Sequence, residues 1–203
     1  MAQVPRNGSN TVLITQEARP ARAGHQDMRL QAADNASKPL PAIGAAAQGG
    51  DILAEIAAGL VAESDLRRLL ERFLDPIVRL AGAQAGAVRL LSETGDQFQL
   101  VTGLGLPAGL CSREQAVDGH CGHCGAAADR QELVWATDLR ICSERSVNND
   151  FWQGCQRLLA VPLQHRGRVL GVYNLFFAGA DEPGADVQAI LRSVGELLGL
   201  ALN

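Results

Sequence analysis

Two cysteines and two histidines fall within five consecutive positions, 120–124, inside the stretch DGHCGHCGAAADR (residues 118–130). Cys121 and Cys124 form a C-x-x-C pair whose sulfurs can turn to one side and chelate an ion, or work as redox thiols. Seventeen residues separate Cys124 from Cys142, and twelve separate Cys142 from Cys155. Four thiolates suit tetrahedral zinc or an iron–sulfur cluster, provided the fold gathers them. Zinc would pin loops, whereas a cluster responds to oxygen, nitric oxide or electron transfer. Two other readings stay open: thiol redox chemistry without metal, and burial, because cysteine packs as a small hydrophobe. The long gaps match no zinc-ribbon spacing. His120 and His123 are candidate substitute ligands, with a solvated loop as the alternative; His165, in QHRGR, is expected in solvent.

Local patterning says which elements must position these residues. Ile52, Ile56 and Leu60 share one helical face. After Ser64, read as the cap, Leu66, Leu69, Leu70, Phe73, Leu74, Ile77 and Val78 recur at helical spacing, and Pro76 is expected to bend or shorten that helix. AGAVRLL (85–91) and FQLVTGLGLP (98–107) flank a Gly95 turn and read as a hairpin. The cysteine region is expected to be irregular over 110–119, helical over 125–130, and followed by the strand ELVWATD. Residues 143–154 read as a polar loop and short helix. RLLAVPLQ and RVLGVYNLFF flank HRG as a second hairpin, and an amphipathic helix over 184–202 closes the chain. The order predicts an α+β fold, an antiparallel sheet with helices segregated to one side.

Length and composition bound the function. The chain has 203 residues, five cysteines and a formal net charge of −4. Its basic residues form no long run, which argues against nucleic acid and anionic lipid as partners. No apolar run approaches the roughly 20 residues of a membrane-spanning helix. The opening residues lack the features of a secretory signal, so the expected location is the cytoplasm, where thiols stay reduced. Residues 1–50 contain no Phe, Trp or Tyr and half of the eight prolines. They are expected to form a disordered N-terminal tail ahead of one domain over 51–203.

The segments AGAVRLL, GLGLP, GHCGHCGAA, WATDL and LLAVPLQHRGRVLGVYNLFF (158–177) together resemble the GAF domain family of small-molecule and redox sensory modules. The resemblance covers residues 51–203. The four-cysteine variant is similar to GAF regions of nitrate/nitrite-type sensor histidine kinases. It implies a pocket on which three segments converge, bringing Cys121, Cys124, Cys142 and Cys155 together as ligands to an iron–sulfur cluster or zinc. Trp135, Arg145, Phe151, Trp152, Arg157 and Tyr173, with Asn148 and Asn149, would line that pocket and bind a small ligand such as nitrate. It further implies that the N- and C-terminal helices form a dimerisation bundle, giving a homodimer. No kinase or cyclase follows before Asn203, so a stand-alone sensor would signal to a separate histidine kinase or transcriptional regulator.

A rival expectation is enzymatic. Cys111 lies ten residues before Cys121, similar to a spacing in the free methionine-(R)-sulfoxide reductases, which share this fold. In that reading Cys111, Cys121 and Cys142 would attack the sulfoxide and resolve the sulfenic acid. The stretch GCQRLLAVP departs from that family, because Gln156 and Arg157 supply no carboxylate for the substrate amine.

Overall fold

The computed structural model describes residues 43–202 apart from 64, 145–148 and 180. In chain order the elements are α1 (Ile43–Ala62), α2 (Leu66–Ala81), β1 (Ala85–Leu91), β2 (Gln97–Leu104), α3 (Ala108–Arg113), β3 (Ala116–Asp118) and α4 (Gly122–Arg130). There follow β4 (Val134–Ala136), α5 (Arg140–Ser143), α6 (Asn149–Gly154), β5 (Arg157–His165), β6 (Arg168–Phe177) and α7 (Ala185–Ala201). The expected tail lies outside the described residues as far as residue 42, and α1 is already helical eight residues before Asp51.

The α2 helix starts where Asp65 Oδ1 accepts hydrogen bonds from the Arg67 and Arg68 N–H groups (3.0 and 3.4 Å). That carboxylate satisfies donors the first turn leaves unpaired, so the cap is Asp65. Six side chains at helical spacing, from Leu69 to Val78, are buried, each favouring the fold by about 1.5–3 kcal/mol as an upper estimate. The helix runs through Pro76 and ends at Gly82, whose φ of 69° suits a residue without Cβ.

Six strands form one antiparallel sheet in the order β3-β2-β1-β6-β5-β4. The expected hairpins are β1/β2 and β5/β6, joined side by side through β1 and β6. The β5/β6 turn places Arg166 and Gly167 both at positive φ (50° and 77°), which matches the twist of the strands it joins. The stretch 110–119, read as irregular, contains the later part of α3 and the edge strand β3, which is held by pairing with β2.

Alternation along the strands divides two cores. Val88, Leu159, Val161, Leu163, Tyr173, Leu175 and Phe177 pack with the long helices α1, α2 and α7. Ala85, Ala87, Phe98, Leu158, Ala160, Val172 and Phe176 pack with Cys124, Ala127, Leu139 and Cys155 on the other side. The long helices thus share one face, as the sequence pattern expects, and the short helices cover the other. Two glycines fix how closely α7 approaches: a Cβ at Gly195 would collide with the Pro162 carbonyl, and one at Gly199 with that of Gln164. Among the described residues no helix is long and apolar enough to cross a membrane.

Candidate functional site

The C-x-x-C is held by a tight turn leading into α4. Asp118 Oδ1 accepts from the His120 N–H (2.7 Å), and the Asp118 carbonyl accepts from the Cys121 N–H (3.0 Å). Cys121 is thereby the N-cap residue, Gly122 begins the helix, and Cys124 sits within it. The helix starts three residues earlier than its apolar pattern suggests. Gly125 is required there, since a Cβ would overlap the His120 backbone. Helix geometry places Cα atoms three residues apart at roughly 5 Å, inside the range of about 4.4–6.8 Å that a disulfide spans.

This turn docks on the segment that carries Cys142. His123 Nε2 lies 2.8 Å from the Asp138 carbonyl, and the Cα–Cβ direction of Gly122 faces the Ile141 side chain. The segment is stiffened by Asp138, whose carboxylate accepts from the Arg140 N–H and from its Nε and Nη2. Those Arg140 hydrogen bonds hold the Asp138 carboxyl down at about 2. Cys142 follows one turn later, buried, its N–H donating to the Leu139 carbonyl (3.0 Å).

Cys124 reaches the sheet. Asn174, only 2% exposed in the middle of β6, donates from Nδ2 to Cys124 Sγ (3.2 Å), and that sulfur lies 3.6 Å from Asn174 Oδ1. The preceding residue of β6, Tyr173, points to the opposite face. Its buried hydroxyl donates to the Leu191 carbonyl of α7 at 2.6 Å, and burial pushes its pKa well above the usual tyrosine value.

Cys155 and Cys111 have different surroundings. Cys155 Sγ donates to the Arg157 carbonyl (3.5 Å), and burial pushes its thiol up to about 11, opposed by hydrogen bonds involving the Arg157 and Phe177 backbone and the Gln84 side chain. Cys111 is half-buried and lines a cleft with Arg67 and Glu71 of α2 and with β2. Among the described residues no group of three or more His, Cys, Asp or Glu side chains is arranged to hold a metal ion. His120 is largely exposed beside Asp129, and His123 Nε2 lies against the Asp138 carbonyl.

The expected ligand pocket is divided in the structure. Trp135 stacks edge-on against Phe177 toward the long helices, with ring centroids 5.2 Å apart, and Tyr173 is fully buried. Phe151, Trp152 and Phe176 form an edge-to-face cluster on the other side. Trp152 and Arg157 line one cleft together; Arg145 and Asn148 lie outside the described residues, as does the Asn149 side chain.

Sequence reasoning passed over Asn174, although a single amide inside RVLGVYNLFF is itself a signal. It also passed over the buried pair of Arg89 and Glu114. Arg89 Nη2 donates to Glu114 Oε2 (2.9 Å) and Nη1 to the Glu114 carbonyl (2.6 Å), tying β1 to the turn after α3.

Comparison with known proteins agrees with this geometry. The structure is similar to the GAF domain of an Acinetobacter phosphoenolpyruvate-protein phosphotransferase (18% identity, 76% of this chain and 92% of that one, TM-score 0.60). It is similar as well to the free methionine-R-sulfoxide reductase of Neisseria meningitidis in complex with its substrate (18%, 80% and 92%, TM-score 0.62). A GAF domain/HD domain protein from Geobacter sulfurreducens also resembles it (17%, 70% and 95%, TM-score 0.56). At such identities the likeness concerns the fold. No curated protein matches the sequence. The family model described as GAF domain matches residues 63–203, well over half of the protein, and the chain belongs to the GAF domain family.

Proposed function

We propose that this chain is a sensory and regulatory protein in which Cys121, Cys124 and Cys142 respond to redox state, and that it passes the change through α7 to a partner protein. The observation that carries this reading is the docking of the α4 start, with its C-x-x-C, onto the segment bearing Cys142. In the reaction two of these thiols give up two protons and two electrons to a small-molecule disulfide, which leaves as two thiols while a protein disulfide forms. Oxidation at Cys124 removes the partner of Asn174 and leaves a buried amide to be re-satisfied, which bears on β6 and through Tyr173 on α7.

The protein is equilibrated in glutathione buffers poised from about −300 to −180 mV, quenched with acid, unfolded, alkylated and mapped by mass spectrometry. The expected result is a disulfide among Cys121, Cys124 and Cys142 within that range, lost in the corresponding single Ser variants. If all three remain thiols at the oxidising end, redox sensing by these residues fails. A zinc ion or iron–sulfur cluster is the other form of the same reading, and it requires Cys155 to leave its present contacts. Metal analysis and visible absorption after anaerobic purification separate the two: metal that is lost in Cys155→Ser favours the four-thiolate centre. The signalling output would run through a homodimer to a histidine kinase or transcriptional regulator.

A further inference from the structure

A second cleft, of about 500 Å³, opens at the β4 border of the sheet beside α7, on the face that carries the long helices and away from Cys124 and Cys155. Its apolar side includes Trp135, Val161 and Pro162, and its charged side chains are Glu132, Glu182 and Arg192. All three charged residues are exposed, so a solute meets them without any movement of the chain. The segments that carry the two carboxylates are anchored. Gln131, held at a positive φ of 56°, donates from Nε2 to the Gly167 carbonyl (3.0 Å) and so fixes the turn before Glu132. Gln188 of α7 donates from Nε2 to Glu182 Oε1 (3.0 Å) and to the Pro183 carbonyl (2.8 Å), which fastens Glu182 to the start of that helix. The opposite charges of the cleft are nevertheless not spent on one another. Among the described residues no ion pair joins Arg192 to Glu132 or Glu182.

We infer that this cleft is a binding site for a small zwitterion, a compound that carries an ammonium and a carboxylate group. Its ammonium is taken by Glu132 and Glu182, its carboxylate by the Arg192 guanidinium, and its hydrocarbon part by Trp135 and Val161. The volume is in the usual range for small-molecule sites, and an apolar wall with a few charged groups is their usual lining. A ligand with one charge would leave part of that lining unused. One with both engages carboxylates and guanidinium together, in hydrogen bonds of the stronger, charge-assisted kind. Trp135 favours the ammonium further, because an aromatic face attracts cations. Arg192 and Gln188 belong to α7, whereas Glu132 and Trp135 belong to the β4 border, so the bound compound clasps the helix to the sheet. The site uses no cysteine, so it stands or falls separately from redox sensing.

The protein has two tryptophans, so the full chain carrying Trp152→Phe keeps Trp135 as its sole indole reporter. It is titrated at constant ionic strength with L-leucine and with ε-aminocaproate. Isoamylamine and isocaproate, which keep the leucine hydrocarbon part and one charge each, are run beside them. The expected result is a saturable change in Trp135 fluorescence with at least one zwitterion, and affinity at least tenfold weaker for both singly charged compounds. Arg192→Gln, and separately the pair Glu132→Gln with Glu182→Gln, should each weaken binding at least tenfold, whereas Arg113→Gln, on α3, should leave it unchanged. Calorimetry on the wild-type chain reads the same affinities should the Trp152→Phe chain fold poorly. No saturable response to either zwitterion, a singly charged compound that binds as tightly, or unchanged affinity in Arg192→Gln or in the glutamate pair overturns the proposal. Which zwitterion binds distinguishes charges on one carbon from charges at the two ends of a chain.

Discussion

Asn174 shows how one side chain gives a cysteine its character. An amide buried in an apolar strand must find a partner, and the Cys124 sulfur is that partner. The C-x-x-C was legible in the sequence because its spacing is local; the amide's role was not, because the contact spans fifty residues. Cys155 illustrates the reverse case, a thiol kept protonated by its surroundings. Its pKa is raised from 9.0 to about 11, so the folded state holds its proton more tightly than the unfolded state does. The resulting stability is fully present below pH 9 and is lost as pH rises toward 11. Chemical denaturation at pH 8, 9, 10 and 11 should show wild-type stability falling more steeply over that window than that of Cys155→Ala. Parallel pH profiles would contradict the desolvated thiol.

Among the elements, those with a clean period were readable and those defined by a partner were not. The two hairpins and the faces of α2 and α7 follow from apolar spacing. By contrast β3 is three residues, Ala-Val-Asp, with no alternation to announce it, and it exists as a strand through pairing with β2. Likewise Ser64 and Asp65 are adjacent and equally suited to capping, and the sequence alone does not choose between them. Helix α1 carries a feature relevant to assembly: Ala47, Gly50, Ala54, Ala57 and Val61, spaced alternately by three and four, are all exposed, Val61 at 91%. Small residues at heptad spacing allow a second helix to approach closely. The proposed homodimer would use this seam, and Ala54→Arg should then convert dimer to monomer in light scattering at tens of micromolar, a range where moderate interfaces are populated. Wild-type protein that is monomeric at that concentration would remove the dimer from the scheme.

For the whole molecule, what matters is that one sheet carries two cores of different kind. One side holds the thiols and the Trp152/Arg157 cleft, and the other holds three helices; β6 belongs to both through neighbouring residues, Asn174 and Tyr173. The order of elements predicted an antiparallel sheet with helices on one side, whereas the second core and the division of the aromatic residues between the two sides depended on strand register and emerged only from the structure. Tyr173→Phe removes the hydroxyl that holds the Leu191 carbonyl while keeping the ring. It should cost about 1 kcal/mol in stability and abolish any change in α7 hydrogen exchange that oxidation produces in the wild type. An undiminished response in the variant would mean that the signal takes another route.

The adjacency of β1 and β6 has a further consequence, for biogenesis. Ala85 pairs with Phe176 and Leu90 with Gly171, so the first hairpin waits for nearly the whole polypeptide before its inner border is covered. While the ribosome is still making the intervening stretch, β1 offers unpaired backbone to any passing strand. Nascent chains arrested before residue 168 should accordingly depend on chaperones, and slow translation through 120–170 would be a hazard for this protein rather than a help.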